Sequence, residues 1–101
     1  MTSSAVNGKT LPTLHLLNKP PSHPRFRDCL GAIANEDSLL LMESAVIALA
    51  DATLALPANT RALRHDCLAR GLDEDTQEDV ELVDVRGMVE LTDRFPRVVS
   101  W

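Results

Sequence analysis

Ser38-Leu39-Leu40-Leu41-Met42 sets four consecutive apolar side chains between Asp37 and Glu43. A strand with one face in water would alternate polar and apolar residues. The unbroken run therefore reads as a strand buried on both faces, as in a sheet covered by helices above and below. The flanking segments supply those helices. The fold class that follows is α/β: a small three-layer domain with a mostly parallel sheet of four to five strands flanked by helices.

Upstream, residues 11–17 carry Leu14, Leu16 and Leu17 around His15 and read as a first strand starting after Pro12. Pro20 and Pro21 break it, because neither can donate to a ladder. Pro24 suits the first turn of a helix that places Phe26, Cys29, Leu30 and Ile33 on one side, away from Arg25, Arg27 and Asp28. Asn35-Glu36-Asp37 ends that helix and leads into the central strand.

Downstream, residues 43–56 read as an alanine-rich helix stopped at Pro57, with a strand competing over residues 53–56. Only Glu43, Ser44, Asp51 and Thr53 are polar there, so this helix is expected to be apolar around most of its circumference. Either a partner covers its outer face or small alanines are tolerated at the surface. Residues 59–63 continue the alternation as a third strand. Residues 65–70 make one or two helical turns, with Gly71 suited to a left-handed C-cap. Residues 80–85 give a fourth strand, residues 86–95 a closing helix with Met88, Val89, Leu91 and Phe95 inward, and residues 98–101 a last short strand. Between them, residues 73–81 hold six acids and no base and read as a solvated loop. Residues 1–10, rich in Ser, Thr, Gly and Asn, are expected to form a flexible tail, leaving residues 11–101 as a single domain.

A chain of 101 residues, 45% apolar and only 3% aromatic, is one domain with a core of Leu, Val, Ala and Ile. Its net charge of -5 argues against a nucleic-acid surface, which needs clustered Lys and Arg to neutralise phosphates. No apolar leader segment occurs within residues 1–10, and the two cysteines lie far apart. They are therefore read as reduced thiols of a cytoplasmic protein. The longest apolar stretch, residues 39–50, is interrupted by Glu43 and Ser44 and falls short of the roughly 20 residues a membrane span requires. No membrane segment is expected.

Four glycines with no Gly-x-Gly-x-x-Gly or Walker loop leave no phosphate cradle, and no Gly-x-Ser-x-Gly elbow supplies a nucleophile. His65 and Cys67 are two apart and diverge on a helix, so neither metal nor cofactor is expected. His15, inside a strand, reads as a satisfied core histidine rather than a catalytic base. That leaves the thiols. A cysteine thiolate can accept and pass sulfur as a persulfide, and Cys29 lies near Arg25 and Arg27, which would lower its pKa. Against this stands the reading of Cys29 as a small hydrophobe packed beside Leu30, and the same choice applies to Cys67 with less on the chemical side.

Leu14-His15-Leu16-Leu17-Asn18-Lys19-x-Pro21, Asp37-Ser38-Leu39-Leu40-Leu41-Met42-Glu43, Asp66-x-Leu68-Ala69-Arg70-Gly71-Leu72, and Val89-x-Leu91-Thr92 through Ser100-Trp101 together resemble the DsrH/TusB family. The likeness runs from about residue 11 to residue 101, and residues 43–63 are shorter than is usual in the family. The resemblance implies a subunit of a cytoplasmic sulfur-relay complex, a heterohexamer with sibling DsrE/TusD-type and DsrF/TusC-type subunits. That complex passes persulfide sulfur between carrier proteins, towards 2-thiouridine at the tRNA wobble position or, in its other branch, in sulfur oxidation. It also implies that the principal sulfur-accepting cysteine belongs to the DsrE/TusD-type sibling; the acidic charge and the short apolar stretches add that this chain neither binds nucleic acid directly nor meets a membrane. Some members carry a cysteine where Cys29 stands and others lack it. Two roles thus stay open for this chain: an interaction subunit with Cys29 as an accessory acceptor, or a persulfide carrier through Cys29 itself. A stand-alone binding domain is the third reading.

Overall fold

The computed structural model describes residues 11–72 and 79–101. The expected tail at residues 1–10 and most of the acidic run, residues 73–78, lie outside the described residues. Five strands form the sheet: β1 (Thr13–Leu17), β2 (Ser38–Leu41), β3 (Thr60–Leu63), β4 (Glu81–Val83) and β5 (Arg97–Ser100). The connections are α1 (Pro24–Ala32), a 3-10 helix (Glu43–Ala50), α2 (Arg64–Ala69) and α3 (Val85–Arg94). All four strand pairings are parallel, in the order β4-β3-β2-β1-β5. The chain steps outward from β1 to β4, and α3 then carries it back to set β5 on the other side of β1.

Strand β2 lies at the centre, with Leu39, Leu40 and Leu41 fully buried. Alternation along it feeds two cores. Leu39 and Leu41 join Leu17 and Ala62 beneath Phe26 and Cys29 of α1, Ala45 and Val46 of the 3-10 helix, and Cys67 of α2. Leu40 joins Leu14 on the opposite face, under Leu91 of α3 with Met88 and Phe95 beside it. The three layers follow directly from this division. Each buried leucine contributes about 1.5–3 kcal/mol of transfer free energy, and the central run supplies such side chains to both cores.

Local signals set most boundaries. The Nδ1 of His23 accepts the backbone N–H of Arg25, and Pro24 fills the first helical position of α1. Asp84 caps α3 by accepting the N–H of Gly87 at 2.8 Å. Gly71, at φ +72°, takes the left-handed turn after α2.

Three expectations are corrected. The helix predicted for residues 43–56 ends at Ala50 and is a 3-10 helix, with no strand over residues 53–56. Asp51 stops it: its carboxylate accepts both the backbone N–H and the hydroxyl of Thr53, a local turn that competes with helix continuation. Most of this helix is internal, since Ala45, Val46, Ala48 and Leu49 are buried, and Ile47 is its one exposed large apolar side chain. Val89 points outward rather than into the core, and Val85 belongs to α3 rather than to β4. The sheet, expected as mostly parallel, is parallel throughout.

Candidate functional site

Helix α1 holds Cys29 against the sheet, and its side chain is fully buried with Leu17, Phe26 and Leu39 in the larger core. Burial pushes the thiol up to about 11, against a smaller pull downward from the Arg25 guanidinium one turn earlier. At neutral pH the group is therefore held as the thiol rather than the thiolate. Cys67, on α2, is also fully buried and free. Its thiol is raised by desolvation first and then by Asp66, with Arg70 opposing. Neither sulfur reaches solvent in this structure, and both fill the same core cluster.

His15 is 4% exposed and sits on a buried polar cluster that the sequence did not announce. Its Nε2 lies 2.9 Å from Oδ2 of Asp37, the residue just before β2. Asp37 also accepts the backbone N–H groups of Thr13 and Ala34, each at 3.0 Å. Desolvation pushes the Asp37 carboxyl up. The donors at Ala34, His15 and Thr13 together outweigh that cost and hold it below the ordinary carboxylate range. On the other side of the imidazole, the indole Nε1–H of Trp101 donates to Nδ1 at 3.0 Å. The two rings stack with centroids 6.0 Å apart, and the Arg25 guanidinium lies 5.3 Å from the centroid of the indole. Sequence spacing gives no hint of this cluster, because residues 15, 37 and 101 come from three different parts of the chain. The acid at the head of an apolar run and the single tryptophan were the signals present.

In open α/β sheets ligands gather beyond the carboxyl ends of the strands, most often where the strand order reverses. Here that reversal is at β1, between β2 and β5. Lys19 bridges the strand ends there, its Nζ donating to Asn18 Oδ1 at 2.6 Å and to the carbonyl of Trp101 at 2.9 Å. Beyond β2 the backbone of Glu43 takes a left-handed conformation, φ 51°, and its N–H donates to Asp66 Oδ2 at 2.7 Å. Beyond β3 and β4 lies an open hollow of about 550 Å³, bordered by Arg64, His65, Leu68, Val85 and Arg86. Leu68 is 60% exposed and Val85 57%, and Val89, one turn along α3, is 50% exposed. The polar groups at this crest form no convergent set: among the described residues no three His, Cys, Asp or Glu side chains could hold a metal ion. No helix among the described residues is long and apolar enough to cross a membrane.

A family model described as DsrH like protein matches residues 19–98. Protein TusB of Escherichia coli strain K12 is 32% identical over 94 residues, covering 87% of this chain and 99% of its own length. Protein TusB of Pectobacterium parmentieri is 31% identical over 94 residues with the same coverage of both chains. Among solved structures, the solution structure of protein Tm0979 from Thermotoga maritima aligns with a TM-score of 0.64 at 26% identity, over 80% of this chain and 91% of that one. The crystal structure of the ychN protein from E. coli aligns with a TM-score of 0.71 over 91% of this chain and 100% of that one. At 13% identity, that second likeness is one of fold alone.

Proposed function

The chain belongs to the DsrH/TusB family, and from that premise we propose that it serves a sulfur-relay complex as a building partner rather than as its sulfur-carrying subunit. The observation that carries this reading is a contrast within one small domain. Both thiols are sealed in the core, while three large aliphatic side chains, Leu68, Val85 and Val89, stand in water near the outer edge of the sheet. Exposed apolar side chains grouped beside a polar rim suit a protein partner, and a buried thiol of raised pKa suits packing.

In full, the reading is a cytoplasmic heterohexamer with DsrE/TusD-type and DsrF/TusC-type siblings, passing persulfide sulfur between carrier proteins towards 2-thiouridine at the tRNA wobble position. Sulfur oxidation is the alternative branch, since the matching family model is described as DsrH and the relatives are named TusB. The acidic charge of the chain supports contact with carrier proteins through the complex and no direct grip on tRNA. Light scattering of the chain alone and after co-expression with both siblings tests the assembly. A discrete three-component hexamer is expected; a chain that stays monomeric beside both would overturn the reading.

A second reading makes Cys29 a persulfide carrier, favoured by the neighbouring Arg25, whose charge draws the thiol pKa down. It requires α1 to lift from the sheet for sulfur to arrive. Replacing Cys29 by Ser decides between the two: transfer by the assembled complex persists under the first and stops under the second.

A further inference from the structure

Only the return crossover through α3 brings Trp101 beside His15, and the resulting contact has a fixed chemical polarity. An indole nitrogen donates and never accepts. With Trp101 Nε1–H directed at His15 Nδ1 at 3.0 Å, Nδ1 must present its lone pair. The ring proton therefore sits on Nε2 and is donated to Asp37 at 2.9 Å, and the imidazole in this arrangement is neutral.

We propose that Trp101 is a pH-sensitive latch, seated on the sheet while His15 is neutral and displaced when His15 takes a proton from solvent at Nδ1. The added proton would set N–H against N–H across 3.0 Å. Asp37 stabilises the imidazolium from the far side but cannot relieve that clash, since its oxygens are held by the Thr13 and Ala34 amides as well as by Nε2. Among the described residues, the other charged side chains placed around the pair are cationic. Arg25 of α1 lies over the indole, Lys19 holds the Trp101 carbonyl, and Arg97 of β5 lines the same cavity of about 310 Å³ as His15 and Trp101. The strand residues in register with His15, Leu39 and Val99, are uncharged. Among the hydrogen bonds of the described residues, the acceptor of the ring is Asp37 at Nε2, and Nδ1 faces the indole donor. The backbone N–H of Trp101 donates to the Leu16 carbonyl at 2.9 Å, so the ladder keeps β5 in place and the motion is that of the side chain.

Trp101 is the chain's single tryptophan, so its fluorescence reports the latch directly. Acrylamide quenching of the protein should rise at least twofold as the pH is lowered from 8 to 5, with far-UV ellipticity unchanged. His15→Gln keeps a donor for Asp37 and does not titrate in that interval, so its quenching should stay flat. An equal rise in His15→Gln, or a rise that tracks loss of ellipticity, would overturn the latch. Should that variant fail to fold, nitrogen-15 spectra of the parent protein decide. The His15 ring and the Trp101 indole must shift with one common midpoint; separate midpoints, or a ring that stays neutral at pH 5, would overturn it.

Discussion

Asp37 accepts the Nε2–H of His15 at 2.9 Å, and both side chains are more than nine-tenths buried. The pair joins the turn before β2 to the middle of β1. It is also where the polar groups of the core are most tightly satisfied, because the same carboxylate takes two backbone donors as well.

Removing that carboxylate leaves two buried donors, His15 Nε2–H and the Thr13 N–H, without an acceptor, and frees the Ala34 N–H as well. Asp37→Ala should therefore destabilise the domain by about 2–5 kcal/mol, the cost of leaving buried donors unsatisfied. Urea unfolding at pH 7 measures it. A loss below about 1 kcal/mol would mean that water replaces the carboxylate and that the cluster contributes little.

The same group gives a pH signature. Its folded pKa is depressed, so the unfolded chain binds more protons in the acid range and stability rises with pH there. The contribution is fully present above about pH 4, the usual carboxylate value, and is lost as pH falls through the folded pKa. The urea midpoint of the parent protein should drop between pH 4 and pH 2, and Asp37→Asn should remove part of that drop. Parallel profiles for the two proteins would assign the acid response to other carboxylates.

Cys29 should be slow to alkylate. With its thiol raised to about 11 and its side chain wholly buried, iodoacetamide at pH 8 should label it only after urea unfolding. Cys29→Ser should cost about 1–3 kcal/mol, because a hydroxyl is buried in place of a thiol that behaved as a small hydrophobe. Rapid labelling of the native protein would revive the carrier reading.

At the crest, Leu68→Asp or Val85→Asp should leave the isolated chain within about 0.5 kcal/mol of the parent, since both positions are more than half exposed. Affinity for the sibling subunits should fall at least tenfold. Undiminished assembly in the double variant would place the partner surface elsewhere on the domain.

Gly71 offers a clean measure of backbone cost. A Cβ there would meet no atom within 4 Å, yet φ is +72°. Gly71→Ala should thus cost about 1–2 kcal/mol through conformation alone, read from thermal unfolding.

Residue periodicity was enough to place the five strands and to mark α1 and α3 as helices. Four consecutive buried residues in β2, a proline at the head of α1 and a glycine after α2 are local statements, and local sterics and burial enforce them. The DsrH/TusB likeness was legible in the same way, from short runs of residues. Where local rules competed, the sequence misled. Helix propensity favoured continuing past Ala50, but the turn made by Asp51 with Thr53 prevailed. Val89 is apolar yet outward, because the single buried position of α3, Leu91, already fixes which stripe meets the sheet.

Tertiary structure alone decided that β5 lies beside β1, because a crossover helix can return a strand to either edge and periodicity carries no information about neighbours. With that choice came the meeting of His15, Asp37 and Trp101 and the burial of both thiols. These depend on which elements pack together rather than on the pattern within any one of them.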